Sequence, residues 1–454
     1  MRSTLRSLFF SSLLGAALAA CPSPSGGGDG GTGGTTGGSS DGGGGGVQIA
    51  NLTSDPSQAQ SLALAVGPSD QLGIAYFQSL DAGVGGNQSY EIRYLEWSKG
   101  QLTGPETIST VQRTLGLSVA FDPAGHPAVA YLGGHPYGGP SDGGNVSNYW
   151  LQSEAMVAYR QSGGSWTEET AMDSLNDPVT PGNPYQATGN VVLGLWPALG
   201  FSGTTAFTVF RDVHFAQFPT DWKDSDMKSA NGGPASWNDE VALVGGTNSN
   251  EFQGIGDHNA LAMAAGQPAV ICDEASTGDG QNGGGQNVDF VMRADGGVWS
   301  APQRLLSVHD TQTGPALAWD PQAGFAVAAI DADPSINALT VVTSPDGQSW
   351  SAPDPVYQSG TGGWWPSIAF DPTTHAPAVA FYLCSLESGV PKGSCPASEQ
   401  SLDVMAKRGV SWQLEPIDPA GGYLPKIGFL SDGTMAIAYR SLADGHLLLA
   451  TKSP

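Results

Sequence analysis

The chain has 454 residues, of which only 13% are charged, and 42 acidic against 17 basic side chains give a formal net charge of −25. That balance excludes proteins that hold nucleic acid or anionic lipid through Lys/Arg patches. Glycine and proline together number 97. Outside one early segment the glycines punctuate apolar runs, as turn residues do in β-rich chains.

In chain order, the first element is an apolar stretch, Leu8–Ala20, preceded by Arg2 and Arg6. It is too short for a spanning helix and has the make-up of a secretory signal. Its end, Leu18-Ala19-Ala20-Cys21, resembles the lipobox of bacterial lipoproteins. The resemblance implies that residues 1–20 are a signal peptide and that Cys21 is lipidated. Loss of Arg2 and Arg6 would take the mature charge to −27. Residues 21–46 are almost wholly Gly, Ser, Thr, Pro and Asp, a composition unable to build a core and expected to stay disordered. Such a tether holds the next domain about 25–30 Å from the lipid. No aspartate follows Cys21, a pattern similar to outer-membrane sorting in enterobacterial lipoproteins. The expected place is therefore the cell envelope, as an outer-membrane lipoprotein with the membrane as its anchor.

Residues 47–454 are organised by a repeat. Leu117-Ser-Val-Ala-Phe121, Asp122-Pro-Ala-Gly and Pro127-Ala-Val-Ala-Tyr131 form one copy: a small-residue strand, a turn, and a second strand with a large residue at its end. Asp-Pro opens a type I turn, and the glycine after it supplies positive φ. The pattern recurs at residues 61–76, 196–210, 261–272, 315–330, 365–381 and 424–439. A half-repeat follows most copies, as in Glu91–Trp97, Ala155–Tyr159 and Val288–Met292, with alternation typical of half-buried strands. It turns into a segment carrying Trp166, Trp237, Trp299, Trp350 or Trp412. Four strands recurring seven times predict an all-β fold, a seven-bladed β-propeller. The last copy runs out of chain at Leu447–Ala450, and Val47–Ala50 has the alternation of the missing strand. The N-terminal strand is expected to complete the last blade and leave no edge open.

Ser344-Pro-Asp-Gly-Gln-Ser-Trp350 resembles the Asp-box of sialidase-like propellers with one residue missing, and Arg293-Ala-Asp-Gly-Gly-Val-Trp299 is a weaker echo. In that family the box is a structural turn, so the resemblance implies fold and not activity. A sialidase would also need an arginine triad. Its Arg-Ile-Pro signature is absent, and only Arg211 and Arg440 stand at inner strand ends. With so few guanidinium groups, tight binding of an anionic sugar is not expected.

The loops of a propeller's ligand face hold His135, Arg211, Asp212, His214, Asp273, Glu274, Asp331, Asp333 and His446. Paired carboxylates could serve a glycosidase and a His with a Tyr a lyase, but loop acids more commonly cap turns in solvent. Neither Asp331-Ala-Asp333 nor Asp273-Glu274 has the spacing of a calcium loop, and no His/Cys cluster has zinc spacing. No metal, cofactor or catalytic residue is assigned. Trp196, Trp364, Trp365 and Tyr423 stand where a loop enters the innermost strand, often before proline, as packing or as a stacking platform for sugar rings. The candidate ligand-binding set is Trp196, Trp364, Trp365, Tyr423, His135, Arg211 and Asp273. Cys384 and Cys395 share a loop and are expected to form a disulfide in an oxidising compartment, while Cys272 reads as a buried thiol. The expectation is a monomeric, non-catalytic binding or scaffold propeller for neutral glycans or a protein partner. Its alternative is a carbohydrate-active hydrolase or lyase.

Overall fold

A computed structural model describes residues 46–54, 61–80, 89–111, 114–134, 153–173, 191–217, 221–243, 254–275, 286–306, 314–331, 338–358, 361–384 and 396–454. Residues 1–45, with Cys21 and the tether, lie outside the described residues. Strand β1 (Gln48–Asn51) comes first. Blade one is β2 (Leu62–Val66), β3 (Leu72–Ser79), β4 (Tyr90–Ser98) and β5 (Gln101–Val111). Blade two is β6 (Leu117–Phe121), β7 (Pro127–Gly134), β8 (Ser153–Arg160) and β9 (Trp166–Asp173). Blade three is β10 (Val191–Ser202), β11 (Thr205–Gln217), β12 (Asp221–Gly232) and β13 (Trp237–Leu243). Blade four is β14 (Gly254–Ala264), β15 (Gln267–Ala275), β16 (Gln286–Met292) and β17 (Gln303–Leu306). Blade five is β18 (Ala316–Asp320), β19 (Gly324–Asp331), β20 (Ala338–Ser344) and β21 (Asp354–Tyr357). Blade six is β22 (Thr361–Phe370), β23 (Pro377–Cys384), β24 (Gln400–Arg408) and β25 (Ser411–Asp418). Blade seven is β26 (Gly422–Phe429), β27 (Met435–Ser441), β28 (Leu447–Lys452) and β1.

Each blade is an antiparallel sheet, in chain order except that β1 is the fourth strand of blade seven, and the first strand of each touches the first strands of both neighbours. The ring is a seven-bladed β-propeller, as the repeat predicts. It closes as expected: Ile49 pairs with Ala450, Ala50 with Leu449 and Asn51 with Leu448. The Leu52 amide extends the ladder by donating to the Leu447 carbonyl at 2.8 Å, and Leu52 is buried among Leu62, Leu447 and Leu449.

Side-chain alternation explains the stacking of the blades. Along β7, Ala128 and Ala130 face blade three, against Leu199 and Phe210, while Val129 and Tyr131 face blade one, against Tyr94 and Ile92. In β23, Ala378 and Ala380 meet Ile427 and Tyr439, and Val379 and Phe381 meet Val341 and Ile368. A small face thus receives the large face of the next blade, and each buried large side chain contributes about 1.5–3 kcal/mol. A larger residue at Ala130 would overpack that interface by about 1–3 kcal/mol.

The inner hairpins turn as the sequence predicts. The Asp122 carboxylate accepts the His126 amide at 2.8 Å, Asp320 accepts the Gln322 and Ala323 amides at 2.8 Å, and Asp371 accepts the Thr373 amide at 2.8 Å. At the outer edge, Asp346 caps the Ser344–Trp350 turn by accepting the Gln348 and Ser349 amides at 2.8 and 2.9 Å. Trp350 packs edge-on against Phe290, with ring centroids 4.9 Å apart.

The outer tryptophans have a further use that the sequence pattern does not reveal. The indole N–H of Trp166 donates to Glu106 of the preceding blade at 2.9 Å. Trp237 does the same to Glu169 at 3.3 Å, Trp299 to Glu240 at 3.1 Å and Trp412 to Asp354 at 3.0 Å. Burial pushes the Glu240 carboxyl up, but bonds from Arg293, Trp299 and Asn231 outweigh it and hold it below the ordinary carboxylate range. Each contact ties the rim of one blade to the next.

Candidate functional site

In every blade the start of the first strand and the end of the second lie on one face of the ring, around the axial mouth. Four blades carry the same irregularity there. Between Leu195 and Ala198 the first strand of blade three has two residues, Trp196 and Pro197, opposite the single Phe210 of β11. His258-Asn259 stand opposite Cys272, Trp365-Pro366 opposite Phe381, and Leu424-Pro425 opposite Tyr439. These are β-bulges, and proline suits them because it has no ladder N–H to offer. The first residue of each bulge is left-handed: φ is +50° at Trp196, +48° at His258, +51° at Trp365 and +53° at Leu424. A non-glycine residue there costs roughly 1–2 kcal/mol, so packing must over-determine it.

Blades two and five place glycine at the equivalent position, Gly116 with φ +93° and Gly314 with φ +68°. A Cβ on Gly116 would lie 2.6 Å from Trp196 Cα, and one on Gly314 would lie 2.8 Å from His258 Cβ. The left-handed residues of adjacent blades therefore press together into an arc around the mouth. Within it the Trp196 and His258 rings stack at 4.1 Å with a 36° tilt. Asn259 Nδ2 locks them by donating to the Trp196 carbonyl at 2.9 Å, and the Trp196 amide donates to the Leu115 carbonyl at 3.0 Å.

A second aromatic group spans blades six and seven. Trp365 meets Tyr423 edge-on at 5.0 Å, and Tyr382 lies 5.0 Å from Tyr423. Trp365 and Tyr423 are half-buried, whereas Trp364 is only 4% exposed and packs with Ile330 and Cys384. The adjacent tryptophans thus share one cluster, with Trp364 buried in it and Trp365 and Tyr423 partly buried against it.

A carboxylate stands immediately behind the His258 ring. Asp273, at 1% exposure, accepts from or shares a proton with His258 Nδ1 at 3.0 Å. Asp212, midway along β11, and Asp331, the last residue of β19, are buried as well. The sequence expectation of solvated, turn-capping loop acids does not describe these three: β11, β15 and β19 are long enough to include them, and the strands bury them. His446 instead bridges the turn before β28 to the segment after β1, its Nδ1 lying 2.9 Å from the Thr53 carbonyl.

In blade three, Asp212, His214 and Asp226 bring their ligating atoms within 4.8 Å of one another, all fully buried. The donor set would suit a divalent cation. Lys228 already fills that role, however, with Nζ 3.4 Å from Asp212 and 3.7 Å from Asp226. A metal would have to displace a buried ammonium and leave it beside another cation, so the cluster is a charged network rather than a metal centre.

Of the other sequence candidates, Arg211 is half-buried beside Gly256, and His135 lies outside the described residues. Cys384 is buried at the end of β23, Cys395 lies outside the described residues, and Cys272 is buried and in no disulfide. Sequence reasoning overlooked His258. Its Gly-Asp-His-Asn run lacks the proline of Trp-Pro and Leu-Pro, and only alignment on the following small residue, Ala260, would have matched it to Trp196.

No family model and no curated protein matches the chain. Among solved structures, it is similar to an α-L-arabinanase of Penicillium chrysogenum complexed with arabinobiose, at 12% identity over 89% of this chain and 97% of that one, TM-score 0.48. It is also similar to the NanB sialidase of Streptococcus pneumoniae (11%, 88% and 70%, TM-score 0.44) and to a leech intramolecular trans-sialidase (14%, 89% and 70%, TM-score 0.43). At such identities the likeness is one of fold.

Proposed function

We propose that the axial mouth binds a glycan and that the chain is a carbohydrate-active hydrolase or lyase. The observation that carries this reading is the His258–Asp273 pair set against Trp196. An indole face offers a sugar ring the apolar contact that suits its C–H surface. Beside it, a buried carboxylate fixes Nδ1 of His258 as the protonated nitrogen. Nε2, the other nitrogen of a side chain 23% exposed, is then the acceptor, the form a general base requires. Asp273 orients the ring and stabilises the imidazolium once the proton has moved. Trp365 and Tyr423 extend the stacking surface to blades six and seven, and Arg211 adds a cation to the proposed rim.

The test is a panel of polysaccharides and oligosaccharides incubated with the purified protein, read by reducing-end release and by ultraviolet absorbance of an unsaturated product. His258→Ala should abolish turnover and keep binding, whereas Trp196→Gly should weaken binding. Binding without turnover on every ligand captured would reduce the site to non-catalytic recognition. No captured glycan at all would refute it. We further propose that the protein acts as a monomer at the cell envelope, held by lipid on Cys21.

A further inference from the structure

We propose that the axial channel beneath the mouth holds a carboxylate-binding site built on Lys426, and that the ligand of the mouth carries an acidic sugar. The inference deepens the glycan reading above and rests on it for the sugar, but the carboxylate site stands on its own observations.

Lys426 lies on β26, the innermost strand of blade seven. It follows the Leu424-Pro425 bulge, one step below the left-handed residue and its proline. The equivalent residues of the other six blades are Ala63, Ser118, Ala198, Ala260, Ala316 and Ser367. All are small, as a converging ring of strands requires, and Lys426 is the one charged side chain at this level. It is half-buried, so water reaches it, yet burial alone pushes its ammonium below the ordinary lysine range. Its place on an innermost strand, among small residues that converge on the axis, sets it at the central channel of the ring.

The neighbouring blades show what this position does. Ser118 Oγ accepts the Leu199 amide of the next blade at 3.0 Å, and Ser367 Oγ accepts the Ile427 amide at 3.1 Å. Both amides lie on the free inner edge of a first strand, turned away from its hairpin partner. The corresponding amide after blade seven belongs to Leu64 of β2. Ladder alternation from the Gly67–Gln71 bond, 2.7 Å, turns it the same way. Lys426 has no acceptor to give it. The register therefore sets Lys426 of blade seven opposite an edge N–H of blade one, and both groups are donors.

Among the described residues no hydrogen bond or ion pair neutralises Lys426. The ionisable groups on the elements packed against β26 leave Lys426 without a counter-charge. Asp403 accepts from Ser401, Lys407 lies over the Trp412 ring, Arg408 pairs with Glu415, Tyr439 donates to Asp418 and the Tyr382 ring packs on Tyr423, while Arg440 is itself a cation. β2 and β22 carry no ionisable side chain. A cation and an N–H set opposite each other at the channel suit a carboxylate, whose two oxygens accept both. The mouth directly above supplies rings for the sugar that bears it. The scarcity of arginine excludes a guanidinium clamp but not this arrangement.

The chain has seven lysines, few enough for the Cε signals of lysine-labelled protein to be resolved by NMR, with Lys426 assigned by its loss in Lys426→Met. The probes are sodium glucuronate, sodium acetate and glucose. Lys426 should titrate below the ordinary value of about 10.4. Glucuronate should raise that midpoint saturably, because an anion favours the charged amine, and glucose should not. Calorimetric affinity for glucuronate should fall at least about tenfold in Lys426→Met and recover in part in Lys426→Arg. A Lys426 signal unmoved by glucuronate, or moved equally by glucose, overturns the site, as does equal affinity in a folded Lys426→Met. Acetate binding as tightly as glucuronate overturns the acidic sugar. Glucuronate acting on Lys426 while His258→Ala changes no glycan turnover would instead overturn the catalytic reading alone.

Discussion

The closure of the ring gives the sharpest test of the fold's energetics. The four residues of β1 are exposed, Ile49 at 46%, whereas Leu52 just beyond it is 5% exposed within the cluster of blades one and seven. Leu52→Ala should therefore cost about 2–5 kcal/mol, and Ile49→Ala under about 0.5 kcal/mol. Unfolding entropy of about 2.1 cal/mol/K per residue, over a domain of about 400 residues, is roughly 0.8 kcal/mol/K. Calorimetric melting should thus fall by about 2–6 °C for Leu52→Ala and by less than about 1 °C for Ile49→Ala. Deleting residues 47–53 should exceed both and bare the edge of β28, so that the protein self-associates in sedimentation. Equal melting of the two point variants, or a deletion that melts like the parent, would refute the role given to this strand.

Cys21→Ser should release the protein from the membrane fraction, since the tether has no apolar surface; unchanged retention counts against lipidation. Trp364→Ala should destabilise by about 3–5 kcal/mol. Trp365→Gly, chosen because φ is +51°, should melt near the parent and lose glycan affinity several-fold; matched melting curves and titrations decide. Burial pushes Asp320 and Asp371 up, but bonds from His375 and turn amides in the first and from Thr373 and Thr374 in the second hold both below the ordinary carboxylate range. A depressed carboxylate stabilises the fold above its unfolded pKa and loses that contribution as pH falls through the folded value. The urea midpoint should fall as pH drops below about 4, and less steeply in Asp371→Asn; a midpoint unchanged down to pH 3 would contradict this.

The architecture was legible because its causes are periodic. Ala128-Val-Ala-Tyr131 states in four residues which face is small and which is large, and Asp122-Pro-Ala-Gly125 states the turn. Ring closure followed from counting strands against the end of the chain. The site was legible only where a bulky residue broke the pattern, as at Trp196 and Trp365. Composition cannot register the left-handed backbone that aims them, since φ at Trp196 is fixed by a bulge opposite Phe210, 14 residues away. The run Asp221–Gly232 has none of the apolar alternation of the other half-repeats, yet β12 buries Asp226 and Lys228 because each supplies the other's counter-charge. Lys426 was hidden for the opposite reason: one lysine after a proline is unremarkable until six small residues are seen at its level.

The shared last blade also has a mechanical consequence. The segment that precedes residue 47 enters the propeller through β1, whose first residue, Gln48, pairs with Thr451 near the other end of the chain. Tension along that segment reaches the ladder at Gln48 and opens it pair by pair toward Leu52, so β1 peels at low force rather than shearing as a unit. Leu52 and the Thr53 hydroxyl, which accepts the Leu447 amide at 3.1 Å, form the stop at which peeling must either halt or open the ring. The strand that closes the propeller is in this sense also its fuse: a strong enough pull would strip the outer edge of blade seven first, three strands away from Lys426.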